Sequence, residues 1–177
     1  MTAIHNILFI SGSLRAESLN TKLLQAFVAE LPESVTATWG DLDLPLYNEE
    51  LEAHFPPKAE ALREQVKAAD AIVIATPEYN RAMTGALKNA IDWASRPHGD
   101  NAWSKARVLV VSASPGSIGG ALALYQVKQS LLHVGAEVLA KPEFILSKAG
   151  EKFDESGALT DDTTREHITE ALTALGV

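Results

Sequence analysis

The sequence predicts an α/β fold in which helices cover both faces of a five-stranded parallel sheet. Three apolar runs, Ile7–Ile10, Ala71–Ala75 and Val108–Val111, are continuous rather than alternating, as is typical of strands buried on both faces. Segments with a helical spacing of apolar residues separate these runs, so strand and helix alternate along the chain. A chain of 177 residues has the length of one domain, which we expect over residues 1–177.

The first elements are a strand, a helix and a second strand. The strand Ile7–Ile10 leads to a helix that begins at Leu19, with Ser18 as its N-cap and Pro32 as its stop. Apolar residues recur on one face of this helix, which predicts that it packs on the sheet. The alternating segment Val35–Trp39 predicts the second strand.

The remaining elements repeat the alternation. They are a helix over Lys58–Ala68, the strand Ala71–Ala75, a helix capped by Thr84, the strand Val108–Val111, a helix over Gly119–His133, a strand from Val138 to Leu146 interrupted by Pro142, and a helix over Thr163–Leu175. Right-handed crossovers between the strands predict a sheet of order 2-1-3-4-5. This arrangement is the three-layer sandwich of flavodoxin-like domains.

The composition argues against several classes of function. A net charge of −8 and a pI near 5.1 leave no basic run that could neutralise a nucleic-acid backbone. The chain has no cysteine, and its five histidines lack the spacing of metal ligands. No apolar stretch reaches the roughly 18 residues of a membrane helix, and no secretion signal is recognisable. We therefore expect a cytoplasmic protein that binds no nucleic acid, metal or membrane.

The segment Asp41–Pro57 is unusual among the predicted loops because it mixes leucines and aromatic residues with acids and prolines. Exposed hydrophobicity of this kind is typical of a lid or a subunit contact. We expect this segment and the Leu87–Trp103 region to bury each other across a two-fold axis, in a homodimer or homotetramer.

The turn that leaves the first strand has the composition of a phosphate-binding loop. Small hydroxyl residues, one glycine and one arginine occupy Ser11–Asn20, where a helix begins. Backbone N–H groups, side-chain donors and the helix dipole can therefore face one dianion. Because the glycine triplet of dinucleotide-binding loops is missing, the turn favours the terminal phosphate of a mononucleotide.

Two further loops are expected at the same edge, because ligands of doubly wound sheets lie beyond the carboxyl ends of the strands. The loop after the third strand begins with the polar turn Thr76–Arg81. The loop after the fourth strand, Ser112–Gly120, is rich in glycine and serine. Its N–H groups and hydroxyls can hydrogen-bond the polar edge of a planar ring.

Together the three loops resemble the NADPH-dependent FMN reductase family, especially its bacterial quinone, azo-dye and chromate reductases. The resemblance lies in GSLRxxSxN, PEYNxxxxGxLKNAIDW and SxSxGxxGG, which occur in that order and spacing. The chain departs from the pattern at Arg81–Thr84, where some members carry a small or aromatic residue and a proline. The family resemblance implies one flavodoxin-like FMN-binding domain.

The resemblance also implies which residues bind FMN. The phosphate would be held by Ser13, Arg15, Ser18 and Asn20, with Leu14 and Leu19 in the same turn. The isoalloxazine would lie against Pro77, Glu78, Tyr79, Asn80 and Arg81, and its other edge would approach Ser114 and Gly116.

The reaction implied by the family takes place on the flavin and requires no catalytic side chain. NAD(P)H passes a hydride to N5 of FMN, leaves, and is replaced by a quinone, azo or chromate-type acceptor in a ping-pong cycle. A flavodoxin-type electron carrier without its own NAD(P)H site shares the sheet and the cofactor, and it is the alternative. Two other classes of protein are excluded by their chemistry. A phosphoacceptor receiver needs acidic residues at the ends of the first and third strands, and a cysteine-based phosphatase needs a thiolate. This chain has neither.

Overall fold

A parallel sheet forms the centre of this computed structural model, which describes residues 4–177. Within that range its strands are β1 (Asn6–Ser11), β2 (Thr36–Gly40), β3 (Ala71–Ala75), β4 (Arg107–Ala113), β5 (Glu137–Val138) and β6 (Phe144–Leu146). The order across the sheet is β2-β1-β3-β4-β5, and β6 also pairs with β4. The predicted order 2-1-3-4-5 is therefore confirmed.

The predicted fifth strand, from Val138 to Leu146, is divided into two short strands. β5 pairs with the start of β4 and β6 with its end, and both pairings are parallel. Pro142 lies in the gap between them, where a backbone that cannot donate a hydrogen bond interrupts the ladder. The sequence showed the interruption but not that both pieces pair with the same strand.

Helices cover both faces of the sheet, as predicted. They are α1 (Leu19–Ala29), α2 (Pro57–Ala68), α3 (Gly85–Ala94), α4 (Ala121–His133) and α5 (Asp162–Leu175). Apolar residues of α1 and α5 pack on one face with Ile7 and Phe9, and those of α2, α3 and α4 pack on the other with Leu8 and Ile10. Alternate residues of β1 therefore enter opposite cores, which explains why the strand is continuously apolar.

The helix starts agree with the capping signals of the sequence. The hydroxyl of Ser18 accepts from the backbone N–H of Thr21 at the start of α1, and Thr84 caps α3 in the same way. α4 begins two residues later than predicted, because Gly119 and Gly120 have φ angles of 68° and 90°. Such left-handed residues lie outside an α-helix.

The segment Asp41–Pro57 packs on α3 of its own chain. The carbonyl oxygen of Pro45 accepts from Nδ2 of Asn89 at 3.0 Å and from Nε1 of Trp93 at 2.8 Å. Trp93 and Trp103 are fully buried core residues. The two regions therefore contact each other within one chain. Their contact across a two-fold axis stays a prediction.

No helix among residues 4–177 combines the length and the apolar character needed to cross a membrane.

Candidate functional site

The carboxyl ends of β1, β3 and β4 are neighbours in the sheet, and the loops that follow them enclose a cleft. These loops are termed here the first loop (residues 12–18), the third loop (residues 76–84) and the fourth loop (residues 114–120). The cleft has a volume of about 90 Å³ and is lined by Ser13, Arg15, Ser18, Leu19, Asn20, Pro77, Glu78, Tyr79, Ala113, Ser114 and Pro115. Most of the residues that the sequence predicts for the site therefore meet in one place.

The other predicted residues lie outside the cleft lining, on the outer turns of the same loops. They are Leu14, Asn80, Arg81 and Gly116, all of which are exposed. Ala113 and Pro115, which the sequence did not predict, line the cleft on either side of Ser114. Their side chains carry no polar group, so only their position beside a predicted residue could have indicated them.

The first loop holds hydrogen-bond donors that the fold leaves open. The helical hydrogen bonds of α1 begin with Lys22 N donating to Ser18 O, so the N–H groups just before Thr21 have no partner within the helix. The guanidinium of Arg15 is exposed and has no hydrogen-bond or ion-pair partner within residues 4–177. These donors lie at the positive end of the helix dipole, which is a favourable place for an anion.

Asn20 makes a structural contact that the sequence did not reveal. Its Nδ2 donates to the carbonyl oxygen of Ala113, and its Oδ1 accepts from the N–H of the same residue, both at 2.9 Å. The side chain is buried, and it joins the start of α1 to the end of β4. This pair of bonds sets the spacing between the first and fourth loops.

The third loop contains a tight two-residue turn. Tyr79 and Ala82 exchange two backbone hydrogen bonds of 3.0 Å, and the residues between them, Asn80 and Arg81, have φ angles of 52° and 65°. Two successive left-handed residues define a type I′ turn, which asparagine adopts readily and arginine does not. The turn holds Tyr79, which is half exposed, at the edge of the cleft.

Glu78 fastens the third loop to α4. Its Oε2 accepts from the backbone N–H groups of Leu122 and Ala123 at 2.9 and 3.2 Å, and its Oε1 accepts from Arg81 at 3.2 Å. The N-cap of α4, Gly120, provides no side-chain hydrogen bond of its own. The carboxylate of Glu78 therefore replaces a cap and lies at the positive end of the helix dipole.

Two more contacts fix the end of the third loop. The hydroxyl of Thr84 donates to the carbonyl oxygen of Gly12 at 2.6 Å, and Met83 N donates to Oε1 of Gln126 at 3.0 Å. The first and third loops also approach closely, because a Cβ added to Gly12 would lie 3.1 Å from Cδ of Pro77. This role of Gln126 was not predictable from the sequence, since its partner is distant along the chain.

The fourth loop is attached to the end of β6 and to the segment that follows it. Ser114 N donates to Leu146 O at 3.0 Å, and Ser114 O accepts from Ala149 N at 2.9 Å. The carbonyl oxygen of Gly116 accepts from Lys148 N at 3.2 Å. The loop is therefore held from outside, and its inner side faces the cleft.

A larger groove of about 450 Å³ lies between α3 and α4, with Met83, Gln126 and His133 among its lining residues. The ion pair between Lys88 and Asp92, at 2.6 Å, lies in its wall. This groove is away from the strand ends, where ligands of doubly wound sheets bind. The three-loop cleft is therefore the candidate site.

The strand order and the cleft at the carboxyl edge define a flavodoxin-like α/β protein. Residues 5–151 match the family described as NADPH-dependent FMN reductase. The chain is 45% identical over 171 residues to the NAD(P)H-dependent FMN reductase of Pseudomonas aeruginosa, covering 96% of this chain and 92% of that protein. It is 43% identical over 165 residues to a quinone reductase of Pseudomonas putida, covering 92% and 89%.

A solved structure agrees with these relatives. FerB, a flavoenzyme NAD(P)H:(acceptor) oxidoreductase from Paracoccus denitrificans, has a TM-score of 0.89 and 34% identity, with 97% of each chain covered. The chain belongs to the NADPH-dependent FMN reductase family. The expectation of an oxidoreductase with FMN as cofactor and NAD(P)H as co-substrate is thereby confirmed at the level of the family.

Proposed function

We propose that this protein is an NAD(P)H-dependent quinone reductase that binds FMN at the three-loop cleft. The observation that carries the proposal is the set of open donors in the first loop, at the start of α1. The relative named quinone reductase, with 43% identity, supports a quinone as the acceptor.

The first loop fits the phosphate of FMN. The proposed ligands are the side chains of Ser13, Arg15 and Ser18 and the N–H groups of Leu19 and Asn20, all of which line the cleft. Each charge-assisted hydrogen bond to a dianion contributes about 1.5–3 kcal/mol, so three or four contribute about 5–10 kcal/mol before the costs of binding. Micromolar affinity corresponds to about 8 kcal/mol. We assign the N–H rather than the amide of Asn20 because the amide is bonded to β4.

The charge around the cleft supports an anionic ligand, although the whole chain carries a net charge of −8. Glu78 supplies the one carboxylate among the described lining residues, and both of its oxygens already accept hydrogen bonds. Arg15 remains the unshared cation beside the start of α1.

In this proposal the third and fourth loops hold the flavin ring, mainly through their main chains. The side chains of Glu78 and Thr84 are occupied by structural contacts, whereas Tyr79 is half exposed beside the cleft. Asn80 and Arg81 would contact the ring from the turn, and Gly116 from the fourth loop. A cleft of about 90 Å³ is smaller than the roughly 300–1,000 Å³ of a complete ligand pocket. Much of the ring would therefore stay open to a second substrate.

FMN held at this cleft would supply the redox chemistry, which is hydride transfer through N5 from NAD(P)H to a quinone in a ping-pong cycle, with the proton of the hydroquinone coming from water. The residues of the chain bind and orient the two partners, and the proposal assigns no proton transfer to a side chain. Azo compounds and chromate are further proposed acceptors, because an open ring face admits flat or small oxidants.

The test is steady-state NAD(P)H oxidation by purified protein loaded with FMN, with a benzoquinone as acceptor. We expect turnover without any added protein. Double-reciprocal plots of initial rate against the concentration of one substrate should be parallel at several fixed concentrations of the other. If turnover requires a separate reductase, the protein is an electron carrier and the proposal is wrong. Double-reciprocal plots that intersect would be consistent with the activity but would contradict the ping-pong cycle.

We also propose that copies of this chain associate through α4. Leu122, Tyr125 and Leu132 are 45%, 49% and 59% exposed on this helix. With Gln129 they follow the three-four-three spacing of a coiled-coil seam, which the same helix of a second copy can cover. Hydrogen bonding to the carboxylate of Glu143 raises the pKa of Tyr125, one of these exposed residues.

A matched pair of variants tests this interface by sedimentation. Leu132→Lys places a charge in the proposed seam and should give a monomer under conditions where the parent protein associates. Leu46→Lys adds the same charge to a leucine that is 81% exposed in the segment Asp41–Pro57, and it should leave association unchanged. A monomeric parent contradicts the proposal, and dissociation by Leu46→Lys alone would assign the interface to Asp41–Pro57.

A further inference from the structure

We infer that Glu78 is a positioning residue, which sets the ring-binding main chain of the third loop by capping α4 from outside that helix. The inference rests on the proposed function, because that function assigns the third loop to the flavin ring. It concerns the carboxylate of Glu78 and its two backbone partners on α4.

Helix α4 cannot supply this cap from its own N-cap residue. Gly120 has a φ of 90°, and a Cβ added there would lie 3.2 Å from Cβ of Ser112. The preceding Gly119 is more constrained, since an added Cβ would lie 2.5 Å from Cγ2 of Ile145. Serine or aspartate, the usual capping residues, would therefore be strained at position 120.

Glu78 provides the missing acceptor from the other side of the cleft. Its Oε2 accepts from the N–H groups of Leu122 and Ala123, which lie 44 and 45 positions further along the chain. The side chain is 10% exposed, so the carboxylate is held between the loop and the helix. Its other oxygen pairs with Arg81 inside the type I′ turn, and one side chain thus connects the turn, the loop and the helix.

The position of Glu78 in the loop explains why this cap affects the site. Tyr79 follows Glu78 directly and lines the cleft. The other side-chain contacts of the loop, at Met83 and Thr84, fix its far end. Without the carboxylate, residues 77–82 would lose their attachment to α4. We therefore expect the third loop to bind the flavin ring more weakly, while the first loop and its proposed phosphate contacts stay unchanged.

A comparison of riboflavin binding with FMN binding separates the contribution of the third loop from that of the first loop, because riboflavin has the ring but lacks the phosphate. Glu78→Ala should weaken the binding of riboflavin and of FMN by the same factor, about tenfold, as expected for the loss of one strong contact. The visible spectrum of bound FMN should shift as well, since the surroundings of the ring change. Glu78→Gln keeps an oxygen that accepts from the same N–H groups, and it should stay within about threefold of the parent.

Asp161→Ala is the matched control. Asp161 caps α5, where its Oδ2 accepts from Thr164 N at 3.0 Å, and it does not line the cleft. This variant should lower the urea midpoint much as Glu78→Ala does, with flavin affinities and spectrum unchanged. If Glu78→Ala does not fold, Glu78→Asp takes its place, because its side chain is one methylene shorter and reaches the helix poorly.

The inference is overturned if Glu78→Ala lowers the urea midpoint but leaves riboflavin affinity and the flavin spectrum as they are. It is also overturned if Asp161→Ala weakens riboflavin binding equally, since the effect would then reflect general stability. A parent protein that binds neither flavin would refute the proposed function itself, which is a different outcome.

Discussion

The first and third loops border the same cleft but use their side chains in opposite ways. In the first loop Arg15 is exposed and has no partner in the described part of the chain, and N–H groups at the start of α1 are open. In the third loop the side chains of Glu78 and Thr84 are bonded to neighbouring elements. The difference divides the proposed site into a part that binds through free donors and a part that binds through a fixed backbone.

The largest expected effect tests the free donors. Arg15→Ala should weaken FMN binding by about 10- to 100-fold, the equivalent of one charge-assisted hydrogen bond, and leave riboflavin binding unchanged. Turnover at saturating FMN should change far less than affinity. Arg165→Ala removes the same charge from an ion pair with Glu30 outside the cleft lining and serves as the control in equilibrium titrations. Equal loss of riboflavin affinity would contradict the division between the loops.

A smaller effect is expected from the contact that joins the two loops. Thr84→Val removes the hydroxyl that bonds to Gly12 O at 2.6 Å and accepts from Leu87 N at 3.2 Å. The free energy of unfolding should fall by about 1–2 kcal/mol in urea titrations, because a cap and a buried hydrogen bond are lost. Thr169→Val is the matched control, since its hydroxyl bonds within an exposed helical turn. Similar losses in both variants would show that the loop contact contributes little.

The smallest expected effect comes from relieving the left-handed backbone conformation in the turn of the third loop. Arg81→Gly should raise the free energy of unfolding by about 0.5 kcal/mol, because glycine relieves a left-handed residue while an exposed ion pair is lost. Lys105→Gly, at a φ of 64°, relieves the same conformation in a residue with no ion pair among those described, so its gain should be somewhat larger. Chemical denaturation measures both. A net loss with Arg81→Gly alone would mean that the pair with Glu78 outweighs the strain.

The sequence was sufficient to predict that these loops meet at one cleft. Continuous apolar strands such as Ala71–Ala75 predict a buried parallel sheet, and loops at the carboxyl ends of such strands must meet at one edge. The caps at Ser18 and Thr84 were predictable too, because a capping hydroxyl acts on N–H groups only three residues away.

The partners of Asn20 and Glu78 could not be predicted in the same way. Asn20 bonds to Ala113, 93 residues away, and Glu78 bonds to Leu122, 44 residues away. Such contacts depend on the distance between loops in the folded chain, which residue types and periodicity do not contain. The sequence correctly located these residues at the cleft, but it did not indicate that their side chains serve the scaffold.

One edge of the sheet is formed by two short strands rather than by one continuous strand. β5 and β6 are two and three residues long, and they pair with β4 on either side of a gap at Leu109 and Val110. A long, flat border strand invites another chain to add its own strand, which leads to aggregation. A border in two pieces offers no such template. The interruption near Pro142 therefore makes this edge of the sheet a poor site for strand addition by another molecule, whereas the opposite edge, β2, is continuous.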